Sequence, residues 1–346
     1  MIFVLADDFS GAGELAGIGA AHGLNAEVWI GFQEVSEEVA DLVAIDCGTR
    51  TLAEAEAERR VLAIARKVVA RRPTWIFKKT DSVLRGHVAI ECAAVAAFGY
   101  DRVMLVPANP SRGRFVVDGR YLIDGRPLSE TAFARDPEFP ARSSDVRTLL
   151  GRAGDVRIDV PDISFSADID AIVSGLPDNV LPAGAAEFFT ALLRHHQLPI
   201  AHPLEPFPGD FSDSLWICGS QAAWSNGLAQ TCEKNGIDVA LTTSLPKSLP
   251  ACLAIGEGDG CSSPDTLLEQ LIAAALESIA LLHPRRLFVE GGATASALCH
   301  ALGWKRFTVA TPNTDGIGIL APFASDAATL FVKPGSYPWP QLYTLT

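Results

Sequence analysis

Short apolar runs of strand length alternate with segments of helical period along nearly the whole chain, and that rhythm admits few folds. Strands are expected at Ile2–Leu5, Ala26–Ile30, Leu42–Asp46, Trp75–Lys78 and Val103–Val106, separated by helices at Gly11–His22, Leu52–Arg71 and His87–Phe98. Strands linked through helices pair in parallel and need helices on both faces. The rhythm breaks at Phe115–Pro127, where two β-like runs each end in Asp-Gly (Asp118-Gly119, Asp124-Gly125) and predict a hairpin excursion, a flap or a dimer contact. It resumes with a strand, turn and helix over Val180–Leu193. Leu198–Ser214 carries Pro199, Pro203, Pro206, Pro208 and Gly209 with little periodicity, which is linker chemistry. Beyond it strands are expected at Leu215–Cys218, Val239–Thr243, Leu287–Glu290 and Thr329–Lys333, with helices at Ala222–Lys234, Thr266–Leu282 and Thr294–Leu302. The expected fold is therefore α/β with two domains, 1–205 and 206–346, each a mainly parallel sheet flanked by helices. A length of 346 residues accords with two cores rather than one.

Charge narrows the function classes. A formal net charge of -13 opposes extended contact with a nucleic-acid backbone or an anionic membrane, so neither is expected as a partner. The apolar N-terminal run meets Asp7 and Asp8 too soon to be a signal-peptide core, and Leu267–Leu282 is interrupted by Glu269, Gln270 and Glu277. The seven cysteines include no CxxC pair and read as reduced core residues, which together with the missing export signal gives a cytoplasmic expectation. The histidines show no HxH or HExxH spacing, and no metal-ligating residues are assigned.

Polar residues gather where strands end. Ala6-Asp7-Asp8-Phe9-Ser10-Gly11-Ala12 follows the first strand, at the crevice where open α/β sheets place ligands. A helix cap explains one acid there and leaves the other unexplained. Lys78-Lys79-Thr80-Asp81-Ser82, with Arg85, Gly86 and His87, follows the Trp75 strand, and Pro107-Ala108-Asn109-Pro110-Ser111-Arg112-Gly113-Arg114 follows the Val103 strand. In a parallel sheet these carboxyl ends share one edge, where acids can bind hydroxyls and Arg or Lys can hold a carboxylate. Acids and bases so mixed suit a polyhydroxy acid. In the second half, Cys218-Gly219-Ser220, Glu290-Gly291-Gly292-Ala293-Thr294 and Lys333-Pro334-Gly335-Ser336 again end strands, and glycine there lets a phosphate approach backbone N–H groups. No GxxxxGK[ST] is present, and Gly11-Ala12-Gly13 does not complete GxGxxG.

The stretches ADDFSGA, KKTDSVLRGHVAIE, PANPSRGR, GRPLSET, EGGAT and KPGS occur in the order of the four-carbon acid sugar kinase family, which the chain resembles across nearly its whole length, though it is shorter before Val180 and around Gly256–Gly260. The resemblance implies an N-terminal domain for the sugar acid and a C-terminal domain for ATP. It implies substrate contacts from Asp7, Asp8, Lys79, Asp81, Arg85 and Arg114, and nucleotide contacts from Ser220, Gly291, Gly292, Thr294 and Gly335. Ala293 stands where the family usually has an acidic residue, and the ending Ser336-Tyr337-Pro338-Trp339 replaces a glycine-rich one. The expected reaction is phosphoryl transfer from ATP with Mg²⁺ to a hydroxyl of a small acid sugar. In it Arg85 would fix the substrate carboxylate and Asp8 would orient or deprotonate the attacking hydroxyl. Two other classes fit less of the sequence. A haloacid-dehalogenase-like phosphatase wants Asp-x-Asp where this chain has adjacent acids, and a non-catalytic sugar-acid and nucleotide binder would need no reactive hydroxyl.

Overall fold

A computed structural model describes residues 1–35, 40–136, 138–152, 154–201, 210–225, 227–257, 263–312, 316–335 and 339. The expected domain boundary at 205/206 and Cys261 lie outside the described residues.

The front of the chain gives β1 (Ile2–Ala6), α1 (Phe9–Ala21), β2 (Ala26–Ile30), β3 (Leu42–Asp46), α2 (Glu54–Ala70), β4 (Trp75–Lys79), α3 (Val88–Ala96) and β5 (Arg102–Val106). A three-stranded excursion follows, β6 (Arg114–Val117), β7 (Arg120–Ile123) and β8 (Arg126–Pro127). Its turns carry Asp118-Gly119 and Asp124-Gly125, all four residues at positive φ, which is the backbone a two-residue hairpin turn requires. The block closes with α4 (Val146–Leu150), β9 (Arg157–Asp159), α5 (Ser166–Ser174), β10 (Val180–Gly184) and α6 (Ala186–His195). The rear block comprises β11 (Ser214–Cys218), α7 (Gln221–Ser225), α8 (Leu228–Lys234), β12 (Asp238–Leu241), β13 (Ala251–Ala254), α9 (Pro264–Leu282), β14 (Arg286–Glu290), α10 (Gly292–Ala301), β15 (Arg306–Val309), β16 (Gly318–Pro322) and β17 (Thr329–Lys333).

The α/β expectation holds: a large, mainly parallel sheet is flanked by helices, in the order β12-β13-β11-β14-β17-β16-β15-β2-β3-β1-β4-β10-β5-β9. The rear strands from β12 to β17 are parallel, as are the front strands from β2 to β9. Between them β16 pairs antiparallel with β17 and β15, and β15 pairs antiparallel with β2. Three successive reversals set the two blocks in opposite senses. The start of α1 after β1 nevertheless meets the start of α10 after β14, where Asp8 lies against Gly292.

Three strands escape a reading by periodicity. β13 is a short run of small residues (Ala-Cys-Leu-Ala), β15 begins in charge, and β16 opens on glycine and closes on proline, residues that read as punctuation. The single helix expected over Ala222–Lys234 is two, parted at Gly227 with φ of +90°.

Helix α1 is the keystone of the join. All of its residues are buried, as expected of a helix packed on every side. Its sequence FSGAGELAGIGAA supplies small residues where neighbours come close, above all Gly13, which packs against Gly318 of β16. A side chain at either glycine would push α1, and the acids at its start, away from the rear block. A second core with an aromatic stack lies within the rear block, where the Phe288 ring stacks between Trp216 at 4.1 Å and Phe331 at 4.4 Å.

Candidate active site

The front half of the site is a charge cluster at the ends of β1, β3 and β4. Asp8 caps α1, its Oδ1 accepting from the Gly11 N–H at 2.9 Å. Its Oδ2 accepts from the Ser10 hydroxyl at 2.6 Å and from Arg50 Nη1 at 2.9 Å, so capping accounts for one oxygen only. Asp7 accepts from Arg50 Nε at 2.7 Å, while its Oδ1 is buried with no hydrogen-bond partner. Arg50 Nη2 lies 3.8 Å from Asp81 Oδ1. The turn after β3 is docked by backbone bonds: Cys47 N donates to Ala6 O, and Thr49 N and Arg50 N donate to Asp7 O. One guanidinium thus serves three carboxylates. Arg50 is not among the site residues expected from the sequence; the signal that could have found it is a basic residue in a polar turn at the carboxyl end of a strand beside β1.

Arg85 grips Asp81 through two bonds, Nη2 to Oδ1 at 2.8 Å and Nε to Oδ2 at 3.1 Å, and reaches Asp136 with Nη1 at 3.1 Å. Each terminal nitrogen keeps a second N–H. Asp81 Oδ2 also accepts the N–H groups of Val83 and Arg85, which folds the loop after β4 around the carboxylate. Burial alone would raise the pKa of Asp7 and Asp81. For Asp7 the Arg50 charge overrides it, and for Asp81 Arg85 and then Arg50 do, so both stay below the usual carboxylate range.

Lys79 lies against the start of α1, pairing with Glu14 at 3.5 Å and donating to Thr80 O at 2.9 Å. Lys78 is fully buried and pairs with Glu91 at 2.9 Å. Arg114 donates to the Ser82 hydroxyl and Tyr121 to the Ser82 carbonyl, which ties the hairpin and the end of β5 to the same loop. Asp46 was read only as the end of a strand. Its Oδ1 accepts from Gly48 N at 2.8 Å and its Oδ2 from Ser296 Oγ of α10 at 3.2 Å. Burial first, and the Asp8 charge second, push its pKa up to about 7.

The rear half is built from backbone. Gly291 precedes α10 with φ of +95°, a conformation that glycine adopts without strain, and α10 has no side-chain cap and no acid in its first turn. Its free N–H groups and dipole favour an anion. Gly219, ending β11, lies so close to Thr294 that a Cβ there would collide with the Thr294 hydroxyl. Ser220 accepts from Ala223 N at 3.1 Å. Gly291 N donates to Lys333 O at 3.0 Å, which brings the end of β17 to the same turn, and Gly335 follows two residues on with no close neighbour among the described residues. Lys333 pairs with Glu290 at 3.0 Å, and burial lowers its pKa despite that partner.

The two halves meet at one point. A Cβ on Gly292 would run into the Asp8 carboxylate and crowd the Ser10 hydroxyl. Asp7, Asp8, Asp81 and Arg85 therefore form one cluster around Arg50, with Lys79 and Arg114 at its margins. Gly291, Gly292 and Thr294 form another, and Asp8 and Gly292 join them.

Comparison with known proteins gives the class. Residues 2–188 match the sugar-binding N-terminal domain model, and residues 219–337 match the nucleotide-binding C-terminal domain model. The chain belongs to the four-carbon acid sugar kinase family. A D-threonate kinase of Bordetella bronchiseptica is 34% identical over 159 residues, 44% of this chain and 39% of that protein. A 3-oxo-tetronate kinase of Cupriavidus necator is 22% identical over an alignment covering 98% of this chain and 94% of that protein. Among solved structures, a protein described as a putative tRNA synthase from Salmonella typhimurium LT2 shares the fold, with a TM-score of 0.77 at 17% identity over 99% of this chain and 97% of that one. Among the described residues no helix is long and apolar enough to cross a membrane.

Proposed function

We propose that this protein is an ATP-dependent kinase that phosphorylates a hydroxyl of a small acid sugar of about four carbons, such as a tetronate. The observation that carries the reading is the meeting of Asp8 with Gly292, an acid at the foot of the phosphate-cradling turn. Phosphoryl transfer needs a hydroxyl held in line with the terminal phosphate and an acceptor for its proton. Asp8 is in place to orient that hydroxyl and take the proton on its carboxylate. The second N–H of each Arg85 terminal nitrogen can hold the substrate carboxylate while Asp81 and Asp136 fix the guanidinium plane. Arg50 holds Asp7 and Asp8 in alignment, and Lys79 and Arg114 add positive charge at the margins.

The turn Gly291-Gly292-Ala293-Thr294, with Gly219-Ser220 and Gly335 beside it, fits a nucleotide phosphate. It offers uncapped N–H groups and lacks the side chains that would fill the cradle. Mg²⁺ would come with the ATP phosphates and neutralise their charge. Among the described residues no group of three or more His, Cys, Asp or Glu could hold a metal by itself. We place the boundary between the sugar-acid domain and the nucleotide domain near residue 205.

The test is a screen of tetronates and related aldonates with ATP, following ADP formation. Turnover is expected with one or a few four-carbon acids and little without them. Phosphate release from a phosphorylated substrate without nucleotide would favour a phosphatase instead. ADP binding without turnover on any acid would leave a binding protein. Asp8→Asn keeps a residue that caps helices well and removes the base; kcat is expected to fall by about 10²-fold or more, with the KM for ATP nearly unchanged. Unchanged turnover would remove Asp8 from the chemistry.

A further inference from the structure

Asp46 and Ser296 stand outside every role assigned above, yet they form a hydrogen bond between the two blocks. Asp46 ends β3 opposite Ala6, the residue before Asp7 and Asp8. Ser296 lies on α10 about one turn beyond Gly292, so a shift of Ser296 shifts the phosphate-cradling turn with it. Asp46 is 2% exposed and braced from behind by Gly48 N. A cavity of about 430 Å³ opens on this side of α10, lined by Phe32, Arg60 and Lys67 from the front block and by Ser296 and His300 from α10. α10 also packs on α1, and on the cavity side the Asp46–Ser296 bond ties it to the end of β3.

We propose that Asp46 and Ser296 are a positioning pair which sets the nucleotide turn of α10 against the acidic site, so that nucleotide affinity depends on this bond more than sugar-acid affinity does. The inference rests on the kinase reading. Around Asp46 the charged and titratable groups are Asp7 and Asp8 after β1, Arg60 and Lys67 of α2, Cys47 beside it, and Cys299 and His300 of α10. Burial and the Asp8 charge bring its titration into the neutral range, so the pair also makes nucleotide binding depend on pH.

ADP binding by calorimetry and steady-state kinetics from pH 6 to 8 test this in the wild type and three variants. At pH 8, where Asp46 is mostly charged, Ser296→Ala should weaken ADP binding and raise the KM for ATP by about tenfold, while the KM for the acid stays within about twofold. Ser296→Thr, which restores a hydroxyl, should recover most of that loss. Asp46→Asn keeps an acceptor and should flatten the pH dependence of ADP affinity. Wild-type protein that binds ADP, beside a folded Ser296→Ala variant that binds it equally well, would overturn the pair alone. So would an Asp46→Asn variant whose ADP affinity follows pH as the wild type's does. Wild-type protein that takes up no ADP would overturn both the pair and the kinase reading.

Discussion

The front and rear halves of the site come to the Asp8–Gly292 contact by opposite means. The front half is made of side chains: Asp7, Asp8 and Asp81 converge on Arg50, and Arg85 locks Asp81 in place. The rear half is made of what side chains leave out, with Gly219, Gly291 and Gly292 keeping side chains clear of the uncapped start of α10. A sugar acid differs from its neighbours in where hydroxyls and a carboxylate sit, and only directional charged groups can read that. A phosphate chain is much the same in every nucleotide, and a helix start with room beside it is enough. The front half should therefore fail when a charge is removed, and the rear half when an atom is added.

The largest effect is expected from Arg50→Ala. It strands Asp7 and takes the cation from Asp8 in a mostly buried cluster, while Asp81 keeps Arg85, and breaking such a pairing costs roughly 3–5 kcal/mol of stability. Chemical denaturation should show that loss, and phosphorylation of the acid should fall by about 10³-fold. Near-normal stability would mean that Arg50 does not hold the cluster together. Next comes Gly292→Ala, whose methyl meets the Asp8 carboxylate. Crowding of this kind costs about 1–3 kcal/mol, read as a ten- to hundredfold drop in kcat/KM. A variant as active as wild type would break the contrast between the halves at the point where they touch.

The smallest effect sharpens the contrast within the front half. Asp7 and Asp81 have depressed pKa values, so the stability they contribute is present above the unfolded carboxylate pKa of about 4 and is lost as pH falls through their lower folded values. Asp46 has the opposite sign. Its folded pKa of about 7 lies above the unfolded value, so the folded state binds the extra proton and stability declines as pH rises from about 4 to 7. Asp46→Asn should remove that decline and gain on the order of 1 kcal/mol relative to wild type between pH 5 and 8. Melting curves across that range check it, and parallel curves for the two proteins would show that Asp46 is charged without cost.

Much of this was legible in the chain. Polar clusters after β1, β4, β5, β11, β14 and β17 announce themselves because a parallel strand must end in a loop, and loops that are both charged and glycine-rich are rarely idle. The Asp-Gly pairs of the hairpin were equally plain, since few residues accept that backbone. Arg50 and Asp46 were not. Each follows or ends an ordinary strand, and what singles them out is the distance to residues far along the chain: 43 positions for Arg50 and Asp7, 250 for Asp46 and Ser296. β15 and β16 were missed because antiparallel strands that bridge two blocks need neither long apolar runs nor connecting helices, and their glycine and proline mimic a loop.

By itself the sequence determined the α/β class, the parallel blocks and the residues that gather at strand ends, because period and local turn chemistry are written in neighbouring residues. Only the tertiary structure decided that the blocks run in opposite senses, that Gly13 lies on Gly318 and that Gly292 stands against Asp8. Those outcomes depend on three strand reversals and on close approach between segments far apart in the chain, and no local pattern encodes which surfaces will meet.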